Sequence, residues 1–230
     1  MSILERLKSS LQRDGAGSTL AKFRAAIVDH CFDSYYGLDT CAMAGLEDLT
    51  ITSSSREHGV KYQAARVLVL RKLFQILMPL FPSNSVIVDF GCGKGRVLLV
   101  GMEFPFKEVK GVEFAKELCA AANNNIARYK AKKTLQTPCA AIEADAATYR
   151  IATDENVFFY YNPFDEVLMA KTVENIITSA RFHPRKIHIV YLNPKHHGVM
   201  DSRSELSLIQ DSHIWGNRFR VYTNQPGVRE

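Results

Sequence analysis

The segment Asp89-Phe90-Gly91-Cys92-Gly93-Lys94-Gly95-Arg96 sets three glycines at alternate positions behind an acid. Alternating glycines let the backbone turn sharply and let a ligand lie against the main chain. Two more acids, Glu113 in Val112-Glu113-Phe114 and Asp145 in Glu143-Ala144-Asp145-Ala146, each close a short run of apolar residues. A carboxylate can accept two hydrogen bonds side by side. A fourth place, Tyr160-Tyr161-Asn162-Pro163-Phe164, offers a side-chain amide, the carbonyl of a proline and an aromatic ring. The glycine loop is not a phosphate-cradling P-loop: the earlier glycine would fall on Val88, and position 95 is Gly where Ser or Thr is required. The dinucleotide pattern G-x-G-x-x-G fails as well, because its third glycine falls on Arg96, where close helix–strand packing wants no side chain.

These residues need a scaffold that brings them together. From residue 85 onward, short apolar runs alternate with helical stretches. Strands are expected over 86–90, 109–113, 139–143, 157–161 and 186–192, with helices over 95–103, 115–128 and 167–180. This alternation predicts an α/β fold with a mostly parallel sheet and helices on both faces. The nearly all-apolar strands agree with a sheet covered on both sides. The runs 206–214 and 218–223 are joined only by Trp215-Gly216-Asn217, too short for a crossover, so they read as an antiparallel hairpin. Ligands of open parallel sheets bind at the carboxyl ends of strands, so all four motifs would converge on one crevice. Residues 1–80 read instead as a helical N-terminal lobe, with helices over 3–11, 18–32 and 65–77 and a polar, turn-rich segment over 33–59. The division predicted is a lobe over 1–80 that covers the substrate and a catalytic domain over 81–230.

Composition narrows the classes. The chain has 230 residues, 47% of them apolar and 23% charged, which excludes a disordered, collagen-like or coiled-coil protein. No run approaches the roughly 18 apolar residues of a membrane helix. Residues 1–8 alternate charge with apolar side chains and lack the centre of a signal peptide. Five scattered cysteines with no CxxC point to reduced thiols, so a cytoplasmic location without membrane insertion is expected. The net charge of +5 permits an anionic partner without requiring one. The basic run over 128–133 reads as the last turn of a helix, where cations complement the dipole, rather than as a nucleic-acid patch. His183, His188, His196 and His197 lack acids or cysteines at metal-ligand spacing, and no metal site is expected. Lys94 and Arg96 read either as partners of a substrate anion or as solvated residues at a helix start.

The arrangement D-x-G-x-G-x-G resembles the cofactor loop of the class I, seven-β-strand, Rossmann-like S-adenosylmethionine-dependent methyltransferases. The resemblance spans about 86–223, including the antiparallel last strand. It implies a seven-stranded sheet and S-adenosyl-L-methionine as cofactor, held by Asp89, Phe90, Gly91, Cys92, Gly93, Gly95, Glu113, Phe114, Asp145 and Ala146. Within it, Glu113 would bind the ribose hydroxyls and Asp145 the adenine amino group. Asn162-Pro163-Phe164 resembles the family's Asn-Pro-Pro-Tyr/Phe motif of amino-group methyltransferases, with one proline missing. That resemblance implies transfer to a protein lysine or another amine, with Asn162, Pro163, Phe164 and Tyr62 at the acceptor. Residues 32–40, Tyr62 and the Gly-Lys-Gly-Arg loop together are similar to uncharacterised bacterial members. The other readings are a non-catalytic cofactor-binding scaffold and an aminopropyl transferase, the latter disfavoured by Asn162 where an acid is needed.

Overall fold

The computed structural model describes residues 27–41 and 63–224. A helix over 27–36 (α1) precedes α2, Val67–Leu77. The apolar residues Val67, Leu70, Leu73, Phe74 and Leu77 of α2 recur at helical spacing and are fully buried. Proline in the short turn Met78–Leu80 ends it.

The chain then alternates as its sequence pattern predicts: β1, Val86–Phe90; α3, Arg96–Gly101; β2, Glu108–Glu113; α4, Lys116–Lys133; β3, Cys139–Glu143; β4, Glu155–Tyr160; α5, Glu166–Phe182; β5, His188–Leu192; α6, Gly198–Asp201; β6, Ser207–Ile214; β7, Asn217–Thr223. The seven strands form one sheet in the order β3-β2-β1-β4-β5-β7-β6. β1 to β5 are mutually parallel, while β7 runs antiparallel to β5 and to β6. Successive side chains of a strand point to opposite faces. Ile87, Val157, Phe159 and Val190 accordingly pack with α2, α3 and α4, and Val88, Phe158, Tyr160 and Ile189 pack with α5 and α6. The order turns at β1: β2 and β3 lie to one side and β4 to the other. That reversal opens a crevice at the carboxyl ends of β1 and β4.

Three local readings are corrected. The helix expected to end near residue 32 runs on to 36, so Asp33 lies within it rather than in a turn-rich segment. α4 continues to Lys133 and ends where Thr134 turns left-handed, with Lys130, Lys132 and Lys133 in its last turn. β4 begins two residues early, because Glu155 is wholly buried and its side chain is held by Lys110, Tyr149 and the Ala152 amide. Among the described residues, no helix is long and apolar enough to cross a membrane, and no cluster of His, Cys, Asp or Glu could hold a metal ion. His188 is a strand residue, 1% exposed and packed against the edge of Phe81.

Candidate functional site

A cleft of about 420 Å³ opens at the carboxyl ends of β1, β2, β4 and β5. That size falls within the range of small-molecule sites. Its floor is Asp89, Gly91, Cys92 and Gly93, one wall is Glu113, Phe114 and Leu118, and the opposite wall is Tyr161, Asn162, Pro163, Asn193 and Lys195. Gln63, Ala64, Ala65, Arg96 and Val97 complete the rim.

The glycine loop is shaped by what it must pass. The Gly91 and Cys92 amides both donate to the Val112 carbonyl, at 2.8 and 3.2 Å, which ties the loop to the end of β2. Gly91 has φ +73°, and a Cβ there would stand 2.3 Å from the Pro163 Cβ. Glycine is therefore required twice, by the left-handed backbone and by the close approach of the Asn-Pro turn. Cys92 tucks beneath the loop against Gly111, where a Cβ would meet its Sγ at 2.5 Å. Burial raises that thiol's pKa well above its usual value, so it is no thiolate nucleophile.

Glu113 is 3% exposed. One oxygen accepts from the Gly93 amide at 2.8 Å and the other from the Ala115 amide at 3.0 Å. The carboxylate holds the loop in place and still faces the cleft with lone pairs to spare. Asp89 is 2% exposed on the floor beside it. Burial drives the pKa of Asp89 well above the usual carboxylate range, and the neighbouring Glu113 pushes it further. Burial also raises that of Glu113, against the pull of the Ala115, Gly93 and Phe114 amides. Arg96, on the rim, is turned toward Asp29 and Asp33 at 3.6 and 3.5 Å. The cleft thus gathers two buried carboxyl groups, Asp89 and Glu113, close together.

The wall opposite consists of two Asn-Pro turns. Asn162 and Asn193 both adopt left-handed backbones, φ +46° and +52°, a conformation that asparagine tolerates. The Asn162 Oδ1 accepts from the Tyr191 hydroxyl at 2.9 Å and from the Lys195 amide at 3.3 Å. The side-chain oxygen expected to face an incoming amine is thus engaged in joining the two turns.

Eight of the residues expected from the sequence line the cleft: Asp89, Gly91, Cys92, Gly93, Glu113, Phe114, Asn162 and Pro163. Five do not. The Phe90 ring points through the sheet and stacks on Tyr160 at 5.4 Å, because the strand alternation that aims Asp89 at the cleft aims its neighbour away. Gly95 caps α3 with φ +86° and packs on Ala122. Asp145 accepts from the Ala147 amide at 2.8 Å in the turn after β3, and Ala146 and Phe164 are buried in the core beneath α5. Tyr62 lies outside the described residues. Lys94 and Arg96 are not solvated residues of a helix start; both are buried and pair with acids of the N-terminal segment. Sequence reasoning missed Tyr161 and Lys195 as lining residues, and placed Asn193 at the site's mouth only as a turn. The signal available was position alone, the first residues beyond β4 and β5.

No protein-family profile and no curated protein sequence matches the chain. Solved structures do. An RNA methyltransferase from Salinibacter ruber in complex with S-adenosyl-L-homocysteine superposes with a TM-score of 0.55 at 13% identity, over 73% of this chain and 97% of that one. The Escherichia coli protein yhhF gives 0.52 at 15% identity, over 70% and 88%. MtNAS in complex with S-adenosylmethionine gives 0.51 at 11% identity, over 69% and 63%. The chain has the class I methyltransferase fold. At these identities the likeness concerns the fold. The chemistry of the cleft has to be argued from its own residues.

Proposed function

We propose that the cleft binds S-adenosylmethionine and that the chain transfers its methyl group to a nitrogen, on a protein lysine or another amine. The observation that carries the reading is the pair Asp89 and Glu113, two buried carboxylates facing one cleft of a methyltransferase fold. Buried acids without a cation are costly, and the favourable complement is a positively charged ligand. A sulfonium carrying an amino-acid tail is such a ligand. The pyrophosphate of a dinucleotide would instead meet Asp89, and the Gly93 amide is already given to Glu113.

In this reading Gly91 and Gly93 let the amino-acid end approach the main chain, and Glu113 receives the ribose hydroxyls. Asp145 follows the next strand outward, on the side toward which an adenine would extend from that ribose. The cofactor supplies a methyl carbon whose leaving group is already activated by its positive charge. The protein's task is then alignment and exclusion of water, with reacting atoms held about 3–3.5 Å apart. Asn162 and Pro163, clamped to the glycine loop and to Tyr191, form the wall against which the acceptor is oriented. With the Asn162 Oδ1 occupied, the carbonyls of this turn are assigned the amine hydrogens.

The test is transfer of a labelled methyl group from S-adenosylmethionine into cell lysate, fractionated into protein, RNA and small molecules. Label in an amine of the protein or small-molecule fraction is expected. Replacing Asn162 by Ala should lower that transfer by about a hundredfold, as loss of acceptor alignment does, with cofactor affinity changed less than about threefold. Label confined to RNA would overturn the amine acceptor, and cofactor binding with no transfer into any fraction would favour the non-catalytic scaffold.

A further inference from the structure

Residues 33–41 form, with Lys94, Arg96 and Asn125, a hydrogen-bonded network that the function proposed above does not use. Asp33, within α1, folds back on the turn that follows it. Its Oδ2 accepts from the Thr40 and Cys41 amides, both at 2.7 Å, and its Oδ1 from the Thr40 hydroxyl at 2.6 Å. Arg96, the first residue of α3, reaches into this turn. Its Nε donates to the Thr40 Oγ1 at 2.7 Å, and its other nitrogens reach the Ala65 carbonyl and the Cys41 Sγ at 3.2 and 3.0 Å. Lys94, on the other side of Gly95, pairs with Asp39 at 2.8 Å. Asn125 of α4, 3% exposed, accepts from the Asp39 amide and donates to the carbonyls of Asp39 and Lys94. The loop is therefore gripped from two sides, by Glu113 in the cleft and by residues 33–41 behind it.

We infer that the segment 33–41 is a positioning element of the cofactor site, acting through Lys94 and Arg96, and that Asp33 sets the site's preference for a cationic over a neutral ligand. This rests on the assignment of S-adenosylmethionine to the cleft. Two effects run in the same direction. A loop with three positive-φ glycines has many accessible backbone states, and the grip of residues 33–41 removes them before a ligand arrives. Arg96 also lines the cleft, and Asp33 together with Asp29 draws its charge away from Asp89. Neutralising Asp33 releases that positive charge toward the cleft. Any ligand then binds to a looser loop, and a sulfonium meets an added repulsion that a thioether does not.

The experiment is calorimetry of the full chain with S-adenosylmethionine and with S-adenosylhomocysteine, for the wild type, Asp33→Asn and Asp33→Glu. Asp33→Asn is expected to weaken the homocysteine compound about fivefold and the sulfonium a further severalfold, in the range of ordinary coupling between sites. Asp33→Glu should restore most of the ratio. Equal losses for the two ligands would overturn the electrostatic role and leave Asp33 merely structural. Unchanged affinities in a folded Asp33→Asn protein would overturn the inference entirely. Should Asp33→Asn fail to fold, Asp39→Asn, whose side chain is 59% exposed, tests the grip. Hydrogen exchange on the wild type does so with no substitution. Coupling is reciprocal, so saturating S-adenosylhomocysteine should slow exchange at the Thr40 and Cys41 amides. Unchanged exchange there, with the ligand demonstrably bound, would contradict the coupling. A wild type that binds neither compound would refute the cofactor assignment itself, an outcome distinct from all of these.

Discussion

Asp89 is the residue at which function and stability oppose one another most clearly. Its folded-state pKa lies above its unfolded value because burial, and then Glu113, disfavour the charge. A group raised in this way adds stability below its unfolded pKa and loses it as pH rises through the folded one. Keeping Asp89 buried at neutral pH is therefore a cost to the fold. Asp89→Asn is expected to raise the melting temperature at pH 7–8 and to weaken S-adenosylmethionine by about 10- to 100-fold, the worth of a charge-assisted contact. Thermal unfolding and calorimetry on one preparation check both. A variant that is less stable and binds normally would show that Asp89 serves the fold. Of the residues expected at the site, those that follow directly from a strand end, Asp89, Glu113 and Asn162, were legible because strand ends converge in a parallel sheet. Phe90 was misplaced because a motif read as a block ignores that neighbouring side chains of a strand face opposite sides, and Phe164, past the Asn-Pro turn, is buried in the core with α5.

At the scale of elements, the glycine loop and the Asn-Pro turn after β4 form one unit, since Gly91 and Pro163 occupy adjoining space. Gly91→Ala is expected to cost about 2–4 kcal/mol, from the left-handed backbone and the steric overlap together. Urea unfolding measures this, and a loss under about 0.5 kcal/mol, the size of a neutral surface change, would show that the two turns are not in contact. The strands and helices from β1 onward were legible because their apolar periods are unambiguous. The docking of residues 33–41 was not. Asp33, Asp39, Lys94, Arg96 and Asn125 are ordinary polar residues in sequence, and only tertiary contact at separations of 31 to 86 residues makes them partners. The sequence reading took Arg96 as an obstacle to a dinucleotide, and the destination of its side chain, a pair of acids on α1, had no sequence signal. The amide–hydroxyl contact of Asn162 with Tyr191 is hidden for the same reason.

For the molecule as a whole, the surface is mildly basic, with a net charge of +5, while the cleft floor is acidic. Bulk charge is thus a poor guide to the ligand, and the local field decides. Both cleft carboxyl groups, Asp89 and Glu113, have raised pKa values in the free protein, and a cation favours their ionised forms. Binding of S-adenosylmethionine should consequently release protons and strengthen as pH rises from the ordinary carboxylate range toward neutrality. Calorimetric titration with S-adenosylmethionine and with NAD, in two buffers of different ionisation enthalpy and across that pH range, tests this most directly. The account predicts saturable binding of the sulfonium with net proton release and affinity rising with pH, and no measurable binding of NAD. Binding of NAD in preference, or of the sulfonium with neither proton release nor pH dependence, would contradict it.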